Sequence, residues 1–296
     1  MTGRDLVNAV RNDLLQEQKD LSITKLCRWL EMPRRTTYYQ PRQRTARPLV
    51  DGRRAMLIYE IIEAFPFFGI RRVWAYLKHV LGERVNRKKV ARIMRRNGWT
   101  VRQRQTGKRP RVEVKTTIAD HPDQRWCTDL ALVFCGAKDG WCSFVPVLDC
   151  CTREVLGWEL AHTGRAKTAE RTLEAALIER FGHVRLAPAG LMLCHDNGLL
   201  LGSKLYRSTA KDYGLQQEFI TPYTPEENGL CERFIRSFKE EVAWIHRVES
   251  IEQARQKIAH WVHWYNTKRP HQALEYMNPV QYRQKIQKIT KKYCFC

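Results

Sequence analysis

The second half of the chain contains three short segments in which apolar residues dominate and turn residues mark the ends. These segments are residues 126–134, 141–148 and 154–160, and they are joined by Lys138-Asp139-Gly140 and by Asp149-Cys150-Cys151-Thr152. Apolar runs of this length between turn signals are typical of β-strands. The pattern therefore predicts three consecutive strands joined as two hairpins.

Beyond residue 160 the apolar residues alternate between helical and strand spacing. We predict a helix over 167–181, a strand over 191–194, a helix over 204–213 and a strand over 218–220. Three antiparallel strands that lead into alternating helices and strands are typical of a ribonuclease H-like layered sheet. The expected fold class is therefore α/β, with a mixed five-stranded sheet and flanking helices, preceded by an all-α helix-turn-helix region.

The N-terminal part predicts two helical regions. Ser22 can cap a short helix, Pro33 ends it, and a second short helix with Arg34 and Arg35 follows. This pattern fits either a DNA-binding helix-turn-helix or a plain helical hairpin.

A second helical region runs from about residue 53 to 99. Asn86 caps its last helix, which buries an apolar stripe and carries a basic face. A solvated face is the alternative, but the density of cations favours DNA contact. The basic residues on this face are Arg87, Lys88, Lys89, Arg92, Arg95 and Arg96.

These patterns predict five regions. They are a helix-turn-helix at 1–48, a second helical DNA-binding region at 49–102, a basic linker at 103–121, a catalytic core at 122–283 and a basic tail at 284–296. No apolar stretch is long enough to span a bilayer, and no signal core opens the chain, so we expect a cytoplasmic protein with no membrane partner.

The charge of the chain favours a polyanionic partner. The net charge is +21, and residues 1–120 hold 28 Lys and Arg against 11 Asp and Glu, a net +17 of that total. The ten cysteines include no pair with zinc-finger spacing, so we interpret them as reduced and mostly buried, with Cys294 and Cys296 in a loose tail.

Three acidic residues are candidate catalytic and metal-binding groups. Asp129 lies in the first predicted strand, Asp196 follows the fourth, and Glu232 lies on the helix after the last strand. Carboxylates brought together at these positions would repel one another and favour a hard cation, and two Mg²⁺ ions would suit phosphodiester chemistry. Nearby groups have simpler interpretations: Asp139 and Asp149 as turn residues, His195 as a packed histidine, and His271 as a residue that fixes a helix end.

Several motifs resemble those of a known family. Asp196 and Glu232 are separated by 35 residues, as in the DDE core of retroviral integrases and insertion-sequence transposases. The chain is most similar to the downstream-frame (orfB-type) product of bacterial insertion sequences of the IS-three group. The matching segments are 68–74, 85–90, 126–129, 148–149 with 152–153, 195–198, 221–234, and 265–266 with 269–274 and Pro279.

The resemblance implies a DNA transposase. The expected activity is binding of the terminal inverted repeats, followed by metal-dependent strand cleavage and strand transfer with Mg²⁺ or, in its place, Mn²⁺. Lys239, Asn228, Arg71 and Arg72 are implied to contact or shape the DNA site. A ribonuclease H-type nuclease without strand transfer and an inactive or domesticated DNA-binding regulator are the alternatives.

The resemblance also implies the partners. These are double-stranded DNA of the element ends and of the target, further copies of the chain on DNA, and the upstream-frame protein of the same element. The expected location is the nucleoid of a bacterial cytoplasm.

Overall fold

The computed structural model describes residues 3–38, 51–101, 119–182, 187–196, 198, 200–220 and 228–293. The expected linker before residue 119, the 221–227 part of the acidic motif, Asn197 and the terminal cysteines lie outside these ranges. The chain divides into two compact units, Met1–Asp51 and Gly52–Cys296. Each unit is described by itself.

The first unit contains three helices. They are α1 (Gly3–Gln16), α2 (Ile23–Trp29) and α3 (Arg34–Tyr38). Ser22 caps α2 as predicted, since its side chain accepts a hydrogen bond from the N–H of Lys25. Val7 of α1 packs with Leu26 and Cys27 of α2 in a small apolar core. Helix α1 was not anticipated, although Val7, Val10 and Leu14 have helical spacing.

The second unit begins with α4 (Gly52–Ala64), α5 (Ile70–His79) and α6 (Arg87–Arg96). The predicted cap is confirmed, because the Asn86 side chain accepts from the N–H of Lys88. Gly98 has a φ of +69°, and the N–H of Trp99 donates to the carbonyl of Met94, which closes the helix end. The predicted stripe of Val90, Ile93 and Met94 is fully buried.

A single mixed sheet follows. Its strands are β1 (Arg125–Thr128), β2 (Ala131–Phe134), β3 (Trp141–Asp149), β4 (Val155–Ala161), β5 (Met192–His195) and β6 (Gln216–Phe219). Helices α7 (Ala166–Phe181), α8 (Lys204–Asp212) and α9 (Gly229–Phe238) alternate with the later strands. β3 pairs antiparallel with β1, β2 and β4, while β5 pairs parallel with β1 and β6 pairs parallel with β5.

β1 and β2 lie end to end beside β3 and are separated by two residues. The six strands therefore occupy five positions across the sheet, as predicted. Both pair with β3 in the same register, because Thr128 lies opposite Val147 and Ala131 opposite Phe144. Asp129 therefore lies opposite Pro146. Proline has no N–H to donate to the facing carbonyl, which explains why the ladder stops there. The single strand expected over 126–134 is wrong in this detail.

The sheet is covered on both faces. Trp126, Val147 and Leu193 pack with α7 and α8, whereas the alternate residues Cys127 and Cys194 face the other side. On that other side one apolar cluster includes residues of α4–α6, of the sheet and of α9. The helical region 52–101 and the sheet therefore share one hydrophobic core, where the sequence suggested separate regions.

The C-terminal part is helical. After α9 come a π-helical turn (Lys239–Ala243), α10 (Ile251–Thr267), a 3-10 turn (Gln272–Leu274) and α11 (Pro279–Tyr293). The expected tail at 284–296 therefore continues α11 as far as Tyr293. Trp261, Trp264 and Tyr265 of α10 are buried in the shared core, as the sequence suggested.

The eight described cysteines are all free and buried, which confirms the interpretation of Cys27 and its counterparts in the sheet as small hydrophobic residues. Within the described ranges, no helix combines the length and the hydrophobicity needed to cross a bilayer.

Candidate active site

Asp129 lies at the interruption between β1 and β2. Its carboxylate accepts a hydrogen bond of 2.8 Å from the N–H of Leu130. The side chain is half-buried, and this burial raises its pKa to about 6, an effect to which the charges of Asp196 and Glu232 add. Asp129 is therefore a carboxylate that holds its proton more tightly than an ordinary aspartate.

Asp196 is placed beside Asp129 by the parallel pairing of β1 and β5. Cys127 pairs with Cys194, so Asp129 and Asp196 each lie two residues beyond a matched pair on neighbouring strands. The Asp196 carboxylate is exposed and accepts a 3.1 Å hydrogen bond from the N–H of Gly198. A Cβ at Gly198 would lie 2.9 Å from Asp196 Oδ1, so a larger residue would displace this carboxylate.

Glu232 comes from the first turn of α9. This helix is tied to β1 by Asn228, whose side-chain amide donates to the carbonyl of Thr128 at 3.2 Å. Thr128 immediately precedes Asp129, so one hydrogen bond joins the strand that carries the first acid to the helix that carries the third. Asn228 is buried, so its side chain holds α9 to β1 and does not lie on an exposed surface.

The three predicted carboxylates thus lie within electrostatic reach of one another. In the described part of the chain, however, no group of three or more His, Cys, Asp or Glu side chains lies close enough to hold one metal ion. The carboxylates can repel one another without being close enough to share one ion, because Coulomb repulsion extends well beyond the 2.0–2.1 Å or so of a metal–oxygen bond. A cation would be coordinated by two of these carboxylates, or its binding would move the third carboxylate into coordinating distance.

Lys239 is a predicted DNA-contact residue whose charge acts on the acidic site. It begins the π-helical turn after α9, seven residues beyond Glu232, and its charge lowers the pKa of Asp129. It therefore lies on the same side of the sheet as the acids.

The remaining acidic residues near the sheet have structural partners. Asp149 is fully buried and accepts from the N–H and the hydroxyl of Thr152 and from the N–H of Asp123. Asp139 accepts from the N–H of Ile251 at the start of α10. Both act as turn or cap residues, as the sequence suggested.

The two histidines are also packed. His195 is buried with its ring against Tyr206 and Phe219. His271 is buried after α10, where burial and the charges of nearby arginines hold its pKa well below the usual histidine value. We therefore assign neither histidine to the acidic site.

The predicted DNA-contact residues fall into two groups. Arg34, Arg35, Arg71, Arg87, Lys88 and Arg92 are exposed, and Lys89 is half-buried. Arg72 differs, because it turns inward and donates to Glu241 at 3.0 Å. Burial and neighbouring arginines lower its pKa to about 10. The sequence does not predict this inward position, because helix periodicity alone does not show which of Arg71 and Arg72 pairs with a distant carboxylate.

A second charged cluster was not identified as a site from the sequence. Glu241 is buried and accepts two hydrogen bonds from Arg269, of 2.6 and 2.9 Å, as well as the one from Arg72. Arg153 and Arg233 lie near these groups. The available signal was that Arg72, Arg153, Arg233 and Arg269 all belong to the motifs on which the family resemblance depends.

Comparison with known proteins identifies three family models in the chain. Residues 119–225 and 213–279 match two models described as integrase core domain, and residues 51–107 match an HTH-like domain. The chain is 29% identical over 249 residues to transposase InsD of insertion element IS2A/D/F/H/I/K from Escherichia coli, an alignment that covers 79% of this chain and 82% of that one. The IS2-9 form from strain K12 is also 29% identical, with 80% of its length covered.

Two solved structures are also similar. A simian T-cell lymphotropic virus intasome in complex with PP2A regulatory subunit B56 gamma matches with a TM-score of 0.46 and 12% identity, over 76% of this chain and 74% of that one. The catalytic core domain of BIV integrase matches with a TM-score of 0.41 and 17% identity, over 57% of this chain and 99% of that one.

Proposed function

We propose that the chain cleaves and joins DNA strands at the ends of its own element, because it is similar over most of its length to insertion-sequence transposases and matches integrase core and HTH-like domain models. The proposed catalytic residues are Asp129, Asp196 and Glu232. The observation that carries the assignment is geometric: Asp129 and Asp196 each lie two residues beyond a matched pair on neighbouring parallel strands, and Asn228 ties the helix that carries Glu232 to the residue before Asp129.

Integrase-type cores use divalent metal, and the donor set here suits it. Carboxylate oxygens are the ligands that Mg²⁺ prefers, and the mutual repulsion at Asp129 is what a cation would relieve. We propose that Asp129, Asp196 and Glu232 hold two Mg²⁺ ions, for which Mn²⁺ can substitute. When bound, the ions would supply activation of the attacking oxygen and stabilisation of the leaving oxygen.

The residues of the chain then have distinct roles. A bound cation would favour the ionised form of Asp129. Gly198 leaves room for the Asp196 carboxylate, and Asn228 fixes α9 against β1, which positions Glu232 relative to Asp129. Lys239 binds a DNA phosphate next to the acids. Water first releases a 3′-hydroxyl at the element end, and that hydroxyl then attacks a second phosphodiester, with no covalent enzyme intermediate. The first joining links the element's own ends.

We propose that the basic regions of the chain position the DNA. Residues 1–48 and 49–102 bind the terminal inverted repeats, and residues 103–121 lie along the duplex. Arg34 and Arg35 contribute from α3, and Arg71, Arg87, Lys88, Lys89 and Arg92 contribute from α5 and α6. The support is their surface position and the net charge of +17 in the first 120 residues.

We further propose that at least two copies of the chain assemble on DNA in the nucleoid, since both element ends must meet for joining. The upstream-frame protein of the same element is a proposed additional partner.

The test is incubation of the protein with labelled element ends and Mg²⁺, comparing the wild type with Glu232→Gln. We expect cleavage and joining by the wild type and neither by the variant. Glu252→Gln is the matched control, because Glu252 is also an exposed glutamate in the first turn of a helix. Cleavage without joining would indicate a nuclease, and DNA binding with no chemistry in the wild type would indicate a regulator.

A further inference from the structure

A cleft of about 550 Å³ lies between α5, α9 and the segment that follows α10. Five of its lining residues are arginines, and we call it the arginine cleft. They are Arg71, Arg72, Arg153, Arg233 and Arg269. The other polar side chains of the lining belong to Ser237, Tyr265, His271, Gln272 and Tyr276.

The charge of the arginine cleft is not balanced. None of its lining residues is acidic, and the carboxylate that it meets is Glu241, which lies behind it and binds Arg72 and Arg269. Within the described ranges, Arg71, Arg153 and Arg233 form no ion pair with any carboxylate. Five guanidinium charges therefore face one carboxylate, which leaves a net charge of +4 around one cavity.

The arginines are close enough to oppose one another. The charges of Arg269 and Arg233 contribute, after burial, to the lowered pKa of Arg72. The charges of Arg269, Arg153 and Arg72 likewise add to the burial that lowers the pKa of His271. Both effects place these positive charges near one another around the same cavity.

A purely structural role, as a clamp that joins elements by ion pairs, does not explain all five arginines. Glu241 with Arg72 and Arg269 already joins α5, the π-helical turn and the segment after α10 through buried hydrogen bonds. Arg153 and Arg233 add repulsion and no pairing to that clamp. Such groups are stabilised when an anion enters, and guanidinium groups match phosphate oxygens with paired hydrogen bonds.

The shape favours a nucleic acid backbone over a small free anion. A second open cleft of about 830 Å³ shares Arg71, Arg72 and Arg233 with the first and continues to Arg87, Lys88 and Arg95 of α6. Its lining also includes Glu240, which pairs with Arg236. The two clefts form a basic path that runs from the HTH-like helices to α9. Gly229 and Leu230, in the first turn of α9, also line the arginine cleft, so the positive end of that helix dipole lies beside it.

We propose that the arginine cleft binds backbone phosphates of duplex DNA at a position separate from the phosphate that is cleaved. The inference rests on the proposed function in one respect, namely that Glu232 and Arg233 are adjacent on α9. Side chains one residue apart on a helix diverge by about 100°, so the same helix presents the acid to the active site and the cation to the cleft. The phosphates belong either to the element end or to the target duplex.

The test measures the affinity of the full chain for DNA in EDTA, over a series of salt concentrations. The probes are a labelled duplex of the element end and a scrambled duplex of the same length. The variants are Arg233→Gln and Arg153→Gln, with Arg153→Lys as the charge-preserving form. Arg247→Gln is the matched control, because it removes one exposed, unpaired arginine that does not line either cleft.

The slope of log K against log salt is negative, and the loss of one phosphate contact reduces its magnitude by about 0.9. We expect this decrease and weaker binding for Arg233→Gln and Arg153→Gln, with the slope restored by Arg153→Lys and unchanged by Arg247→Gln. An effect on both duplexes assigns the cleft to DNA of any sequence, including target, and an effect on the element end alone assigns it to that end. The proposal is overturned if the folded Arg233→Gln variant binds both duplexes as Arg247→Gln does.

Joining assays separate this result from the proposed function. If the wild type joins ends while the cleft variants bind DNA normally, the cleft proposal alone fails. If the wild type binds DNA with the expected slope but performs no chemistry with Mg²⁺, the proposed function alone fails.

Discussion

At the scale of single residues, the proposed role of Asp129 in chemistry carries a cost in stability. Its pKa lies near 6 in the folded protein, above the ordinary value of 3.8, because it is buried and faces two carboxylates. The folded state therefore binds the proton more tightly than the unfolded state does. Stability from this group is present below about pH 3.8 and is lost as the pH rises through about 6.

We therefore expect Asp129→Asn to melt at a higher temperature than the wild type at pH 7.5 in EDTA, with a gap that narrows towards pH 5. Adding Mg²⁺ should raise the melting temperature of the wild type more than that of the variant. Thermal melting in both buffers checks this, with Asp212→Asn as an exposed control. Equal Mg²⁺ responses in the wild type and Asp129→Asn would contradict the assignment of Asp129 as a metal ligand.

Glu241 makes the opposite contribution. It is buried, and it is the shared ion-pair partner of Arg269, which is buried, and Arg72, which is half-buried. Glu241→Ala leaves those guanidinium groups buried without a partner, which should cost on the order of 3–5 kcal/mol in the free energy of unfolding. Urea denaturation measures the loss. The exposed pair of Glu275 and Lys285 is the control, and Glu275→Gln should change stability by less than about 1 kcal/mol.

The sequence predicts the three acids as candidate ligands but does not predict the contacts that position them. Asp129, Asp196 and Glu232 could be predicted because they lie at recognisable positions relative to strands and motifs. The inward turn of Arg72 and the burial of Asn228 could not, since each depends on a partner more than 95 residues away in the chain.

At the scale of elements, the attachment of α9 to β1 connects local structure to activity. The Asn228 amide is its hydrogen-bonding link, and it reaches the residue that precedes Asp129. Asn228→Ala removes a buried hydrogen bond, at about 1–3 kcal/mol, and lets Glu232 move relative to Asp129. We expect a lower rate of strand cleavage at temperatures where the variant remains folded.

Asn266 offers a matched comparison. Its side chain makes two backbone hydrogen bonds to Val155, at the start of β4. Asn266→Ala should lower the melting temperature at least as much as Asn228→Ala, with a smaller effect on the cleavage rate per folded molecule. If the two variants lost activity in proportion to stability alone, Asn228 would not be a positioning residue.

Most elements of the catalytic core could be predicted from periodicity. The helix over 167–181 and the strand over 191–194 agree with α7 and β5 to within a residue at each end. The interruption at Asp129 was missed because its cause, Pro146, lies on another strand, and opposing residues are known only when the register is known. Helix α1 was missed although its apolar spacing was present in the sequence.

At the scale of the whole second unit, the shared core predicts cooperative unfolding. Phe68, fully buried between α4 and α5, stacks within the aromatic group that includes Phe65 and Trp264 of α10. Phe68→Ala should destabilise the unit by about 3–5 kcal/mol. Hydrogen exchange should then accelerate in α4–α6 and also in α10 and the sheet.

Acceleration confined to residues 52–101 would instead indicate an independently folding helical domain. Val80→Ala, a change at an exposed apolar residue at the end of α5, is the control and should leave exchange in α10 unaltered.

That common core has a geometric consequence for DNA processing. Helices α4–α6 are packed onto the catalytic sheet. If α6 reads the element end, the folded protein fixes the distance from the recognised bases to the scissile bond. Insertion of one base pair into that interval should move the cut by one nucleotide along the element and leave its distance from the recognised bases unchanged. The boundaries of the mobile element would then be defined by the dimensions of the folded protein, and the bases at the cut itself would be free to vary.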